Sequence, residues 1–386
     1  MRRVNVRDRV IWIDAARGIC VLAVVTMHAT LSLYLYHVDT SPATDFWAWA
    51  ADAMTPFRMP GLAMLSGILL SRRIRAGWSD ASVRTSVANS AWLYVVWLLL
   101  FAVFAWDAGA AVWTAQVAGD GFAWQAVLAQ LVLPRTVLWY VFALAVWTAL
   151  LTTLRRVHPS IVIGGLVAVS IASRYLAVDD GDAQIRNVLR YAGFFAIGAI
   201  GASRLRESIG RGDRMLTVGA LWVFVGTVTV TVFSRSDDVE RVLSAPRDAA
   251  AGILLLLLVA RLCRLRRTGL ALAWVGRRTL PIYVMHALLF DAVLRYVPDW
   301  DAIASLPVLS VVGPPLFALV AAAICIGVHE LITHTPDRVL FALPSPLRRT
   351  LSAAPRHPVT LERPSMAPGA TLPGRMARVE RETVRG

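Results

Sequence analysis

Residues 17–28 read RGICVLAVVTMH, an arginine and a histidine bracketing ten residues without a charge. On an α-helix, at about 100° and about 1.5 Å per residue, Arg17 and His28 return to one face roughly 16 Å apart along the axis. The pair sets a cation near one membrane surface and an imidazole near mid-bilayer. A polar group at that depth costs several kcal/mol, about, unless it is paired or wetted, so it marks a site by default. Histidine is the usual general base near neutral pH, and the arginine fork suits phosphate. A neutral histidine bonded to a neighbouring helix is the plain alternative.

Arg58, in TPFRMPGLAMLSGILLSRRIR, is the second intramembrane cation. It stands about 14 residues, or roughly 21 Å, from the cluster Arg72, Arg73 and Arg75, which brings it within about a turn of the depth of His28. An ion pair with a span acid such as Asp291 and a role toward substrate are equal alternatives for it. Pro60 and Gly61 can kink or unwind this helix, and Gly67 permits close helix approach. His286 lies about eight residues above Arg278, roughly 12 Å into the membrane. It can shape a pocket or fill a packing position, and packing is the preferred reading. HALLFD at 286–291 spaces a histidine and an aspartate about 140° apart on a helix, and HELITH at 329–334 puts its two imidazoles on different faces. Neither spacing makes a site, and no metal site is expected.

These residues need helices that cross a bilayer. Of 386 residues, 57% are apolar, and the mean hydropathy is strongly positive. The expectation is an all-α, polytopic membrane helix bundle of about ten transmembrane helices, near 12–36, 46–71, 86–106, 137–154, 160–178, 188–203, 215–233, 245–263, 279–297 and 307–331. The long connection at about 107–136, with Trp113 and Trp124, suits an interfacial helix. The chain has no lysine, so arginine alone sets the orientation. Arginines flank the start of the first span and follow the second, fourth, sixth and eighth, while DTSPATD, DDGD, SRSDDVE and PDWD lie on the other side. Both termini are therefore expected to be cytoplasmic, with the chain multi-pass in the plasma membrane. The net charge of +14 is accounted for by topology and anionic lipid, and no nucleic-acid partner is expected. The three cysteines suggest neither a disulfide framework nor a zinc knuckle. Asp14 is expected to neutralise Arg17 or Arg9. The folded membrane domain is expected to span 1–333, followed at 334–386 by a disordered, basic, Pro/Arg-rich cytoplasmic tail.

With the spans laid out, IDAARGICVLAVVTMH resembles the first span of the acyltransferase-3 family of integral membrane O-acyltransferases, in which an Asp and an Arg are followed after ten residues by a His. FRMPGLAMLSGILLSRRIR is similar to that family's second span, with an SG pair and an Arg-x-Arg at its inner end. LWYVFAL at 138–144 and GRRTLPIYVMHALLF at 276–290 resemble its LW[FY] and IY-x-x-H segments. The resemblance implies transfer of an acyl group, commonly acetyl, from acyl-CoA to a hydroxyl of a glycan, a lipid-linked sugar or a secondary metabolite. It implies that His28 is essential and picks out Arg17, Arg73 and Arg75, whose cationic forks fit the polyanionic coenzyme A head; no metal is expected. Arg58, by its depth, is a candidate donor to the developing oxyanion. His28 acts either as a base on the acceptor hydroxyl or through an acyl-histidine. A secondary transporter with a mid-membrane His/Arg site is the other class considered; it predicts internal repeats, and the halves of the chain show no second copy of the first two spans.

Overall fold

Gly67 and Gly198 let two central helices touch backbone to backbone. A Cβ added at Gly67 would stand 2.2 Å from the Phe195 carbonyl, and one at Gly198 would stand 2.1 Å from that of Met64. Small residues give this closeness in a bilayer, where neighbouring helices associate through packing and not through exclusion of water.

The computed structural model describes residues 6–108, 124–176, 183–333 and 338–352. It is helical throughout, with no strand among those residues. The order is α1 (Val6–Ala29), a π-turn (Thr30–Tyr34), α2 (Pro42–Ala53), α3 (Thr55–Ala76), α4 (Ala81–Ala108) and α5 (Trp124–Ala129). Then follow α6 (Trp139–Thr153), α7 (Pro159–Ala172), α8 (Ala183–Ile200), α9 (Ala202–Arg211), α10 (Arg214–Ser234) and α11 (Asp237–Leu262). The last are α12 (Arg266–Gly276), α13 (Thr279–Tyr296), α14 (Trp300–Ala304), α15 (Pro307–Thr333) and α16 (Ser345–Ser352).

Six stretches are long and apolar enough to cross a bilayer: Ile11–Tyr34, Pro42–Ala76, Ala81–Ala105, Arg214–Ser234, Asp237–Leu262 and Pro307–Ile332. The chain is a multi-pass membrane protein. The remaining four expected spans coincide with α6, α7, α8 and α13, which are shorter or carry charge. In α10, Met215, Val218, Leu221, Trp222 and Val225 are all exposed. An apolar surface of that extent is stable against hydrocarbon and not against water.

At the centre, α3 packs against α1, α8 and α11, and α1 packs against α12, α13 and α15. Pro60 is accommodated inside α3 without unwinding it. The break in the second span falls instead at Met54, between α2 and α3. Downstream of His28 the α-helix gives way to the π-turn, where the Ser32 hydroxyl donates to the His28 carbonyl at 2.7 Å; π-turns are rare and frequently fall at functional sites.

One sequence expectation changes. Order continues past residue 333: Arg338–Leu340 forms a 3₁₀ turn and Ser345–Ser352 a helix laid on α4. Trp92 and Trp97 donate to the carbonyls of Val339 and Leu340, and Arg84 donates to that of Leu351. Hydrogen bonds from aromatic and arginine side chains of α4 hold a segment that has no apolar periodicity of its own. Residues 353–386 lie outside the described residues. In the 107–136 connection, Trp124 begins the short helix α5, whereas Trp113 lies outside the described residues.

Candidate active site

His28 and His286 meet. His28 Nδ1 lies 2.7 Å from His286 Nε2. The rings are 2° from coplanar with centroids 5.0 Å apart, which together with the short N···N distance is an edge-to-edge hydrogen bond and not face-to-face stacking.

The far side of His286 decides the tautomers. Its Nδ1 faces two carbonyl oxygens, Ile282 at 3.0 Å and Tyr283 at 2.9 Å. A carbonyl only accepts, so Nδ1 of His286 carries the hydrogen and donates. In the neutral ring Nε2 is then the acceptor, and His28 Nδ1–H donates to it. Nε2 of His28 is left as the basic, lone-pair nitrogen. His286 is fully buried, while His28 is half-buried. The arrangement is that of a base whose tautomer is set by a second residue held by the backbone.

His286 fills a packing position, as expected, and also bonds to His28. Its fixed bond to His28 arises from helix pairing across 258 positions, which spacing along one helix cannot reveal. The signal that could have found it is the IYVMH segment itself.

Tyr283, three residues before His286, ties this helix to the start of α6. Its hydroxyl donates to the Val137 carbonyl and accepts from the Tyr140 N–H at 3.2 Å. Tyr140 in turn donates to the Leu62 carbonyl at 2.9 Å and lies 2.9 Å from the Ser66 hydroxyl of α3. The LWY and IY-x-x-H segments thus lock together and onto the SG pair of α3, and the rings of Tyr140 and Tyr283 meet edge to face at 6.0 Å. None of these contacts was legible in the spacing of either segment.

Arg17 also pairs with α13: its guanidinium donates to the Thr279 hydroxyl at 2.8 Å. With α1 continuous from Val6 to Ala29, Arg17 and His28 stand on one helix and each bonds to α13, at Thr279 and at His286. One of the five N–H donors of Arg17 is used among the described residues, which leaves its fork open to an anion. Asp14 is within electrostatic reach of Arg17, as the sequence reading expected, and also lies 3.9 Å from Arg277; the side chain of Arg9 lies outside the described residues.

Arg58 is buried, and its partner is the Ala51 carbonyl at 2.6 Å, not Asp291. Its Nε is buried without a hydrogen-bond partner. The guanidinium lies within electrostatic reach of His28 on one side and of Tyr191, Asp52 and Arg190 on the other. The structure therefore places Arg58 within electrostatic reach of His28.

At the C-terminal end of α3, Arg72, Arg73 and Arg75 are all exposed, but they do not act as one set. Arg73 donates to the Ser86 hydroxyl at 3.1 Å. Arg72 and Arg75, three positions apart and so on one face, lie by Arg206 of α9, whose guanidinium donates to the Ile68 carbonyl at 2.5 Å. Burial first, then the charges of Arg75 and Arg72, push the Arg206 guanidinium down from its ordinary value. Three cations with no carboxylate bonded to Arg72, Arg75 or Arg206 among the described residues favour a bound anion. Arg206 was missed in the sequence because it reads as one more positive-inside arginine.

A family model described as acyltransferase domain matches residues 10–330. No curated protein and no solved structure matches the chain. The matched region contains Arg17, His28, Arg58, the arginine cluster and His286, on a helical membrane scaffold. The chain belongs to the acyltransferase-3 family and is a membrane acyltransferase.

Proposed function

We propose that the protein transfers an acyl group, acetyl in the first instance, from acyl-CoA to a hydroxyl of a glycan, a lipid-linked sugar or a secondary metabolite. The observation that carries this reading is the His28–His286 hydrogen bond, which presents Nε2 of His28 as a base. In this reading α6, α7, α8 and α13 complete ten transmembrane helices, both termini are cytoplasmic, and the membrane is the plasma membrane. The arginine distribution supports that orientation. The coenzyme A head sits at the inner end against Arg17, Arg73 and Arg75, joined by Arg72 and Arg206, and the thioester reaches toward His28.

The acceptor hydroxyl gives its proton to Nε2 of His28 as its oxygen bonds to the thioester carbonyl carbon. The carbonyl oxygen takes the negative charge, and the unsatisfied Nε–H of Arg58 supplies a donor for it. The carbon–sulfur bond then breaks, the carbonyl re-forms as an ester, and the coenzyme A sulfur takes the proton from His28. His286 accepts the His28 Nδ1–H throughout and so holds the imidazolium that forms. The transporter alternative has no support in the family match.

The test is acetyl-CoA binding and slow thioester hydrolysis by the purified protein. Binding and hydrolysis by the parent, with His28→Ala binding but not hydrolysing, support the reading. Absence of any acyl-CoA binding rejects it.

A further inference from the structure

A second polar site lies at the opposite end of α8 from Arg206. A cleft of about 440 Å³ is lined there by Arg174, Arg186, Arg190 and Arg241, with Asp237 and Glu240. Arg186 and Arg190 share a face of α8 four residues apart. From Arg186 to Ile200, where α8 ends before the helix that carries Arg206, is roughly 21 Å along the axis.

The floor is positively charged. Asp248, 1% exposed at its side chain, is bonded by Arg174 at 3.0 Å, Arg190 at 3.0 Å and Arg247 at 3.2 Å. Three guanidinium groups face the Asp248 carboxylate, with Glu240 3.7 Å from Arg247 as the second acid, which leaves a surplus of one positive charge among them. The Nε atoms of Arg174 and Arg190 are buried with no hydrogen-bond partner. Arg186 makes no ion pair among the described residues. The acids at the lip, Asp237 and Glu240, are exposed, so water screens them while the floor is screened far less. An ion network built only for stability would match its charges; this one does not.

A series of contacts runs from the cleft toward the histidines. Arg190 lies over the Tyr191 ring at 5.4 Å, and Tyr191 stacks on Trp139 at 5.8 Å, the residue before Tyr140. Arg190 and Tyr191 are both within electrostatic reach of Arg58, and Arg58 of His28.

We infer that this cleft holds the anionic group of the acceptor, a phosphate or carboxylate carried by a hydroxylated, sugar-like molecule. Guanidinium forks take the anion, and the lip carboxylates with Asn187 accept from or donate to hydroxyls. The inference rests on the acyltransfer reading for its biological sense, but its test does not. Acceptor and donor then approach His28 from opposite ends of the bundle.

The experiment measures binding of glucose 1-phosphate, glucuronate and glucose to the purified full-length protein by calorimetry at low salt. The parent is compared with Arg186→Gln and with Arg235→Gln, an arginine of the same end that does not line the cleft. The expected result is that at least one anionic sugar binds and glucose does not. Arg186→Gln weakens that binding about tenfold, Arg186→Lys restores part of it, and Arg235→Gln leaves it within about twofold. Preference between the two anionic sugars tells phosphate from carboxylate. No binding, equal binding of glucose, unchanged binding by Arg186→Gln, or loss in Arg75→Ala overturns the inference. Acetyl-CoA hydrolysis by the parent is followed in the same preparation: its absence removes the donor reading, while the sugar data still judge the cleft.

Discussion

His28 Nδ1 lies 2.7 Å from His286 Nε2, and the carbonyls of Ile282 and Tyr283 behind His286 leave one direction for that hydrogen bond. The consequence is a defined basic nitrogen in a histidine that would otherwise have two tautomers. Replacing His28 by Ala should lower thioester hydrolysis and acyl transfer by roughly 10²- to 10⁴-fold, with acetyl-CoA affinity retained. Rates and equilibrium binding measured on one preparation check it; a variant that loses affinity in step with rate speaks for a binding role instead.

His286 is a positioning residue for His28. His286→Ala should reduce kcat about 10- to 100-fold, as loss of an orienting partner does for other functional histidines, with little change in KM. His286→Gln, whose side-chain oxygen can accept the His28 Nδ1–H, should recover part of the rate. A purely structural role predicts that kcat follows thermal stability in both variants, so Tm and kcat are measured together.

At the C-terminal end of α3, the geometry ranks the arginines. Arg75→Ala and Arg206→Ala should raise KM for acetyl-CoA more than Arg73→Ala does, because Arg73 is engaged by Ser86 whereas Arg75 and Arg206 share one unneutralised cluster. The effect should shrink as salt rises. KM series at low and high salt decide it, and equal effects of all three substitutions would return Arg73 to the centre of the phosphate site.

Tyr283→Phe removes the hydroxyl that serves both the Val137 carbonyl and the Tyr140 N–H. Each buried group left unsatisfied costs about 1–3 kcal/mol. The expected outcome is a clearly lower Tm by fluorescence-detected unfolding, together with lower kcat, because α13 loses its tie to α6 three residues from His286.

Gly67→Ala puts a methyl 2.2 Å from the Phe195 carbonyl. Backbone cannot yield there as a flexible side chain would, so α3 and α8 must separate, at a cost of about 1–3 kcal/mol or more. Yield of folded protein on size-exclusion chromatography should fall. A variant as stable as the parent would show that the two helices are less closely packed than described.

The sequence alone determined the helical membrane class, because apolar runs of span length are a local property read from composition. It determined that Arg17 and His28 share a face, because one helix fixes both, and it pointed to Arg58 as a cation within reach of His28, because counting residues along a span gives approximate height. It marked Gly67 as a point of close approach. Tertiary structure decided the rest. Which nitrogen of His28 is basic depends on His286, on another helix, and ultimately on two backbone carbonyls. That Arg206, and not Arg73, joins Arg75 depends on the packing of α9 against α3. That residues 338–352 are ordered depends on indole and guanidinium donors of α4. Periodicity reports what one helix presents; only packing reports what meets it.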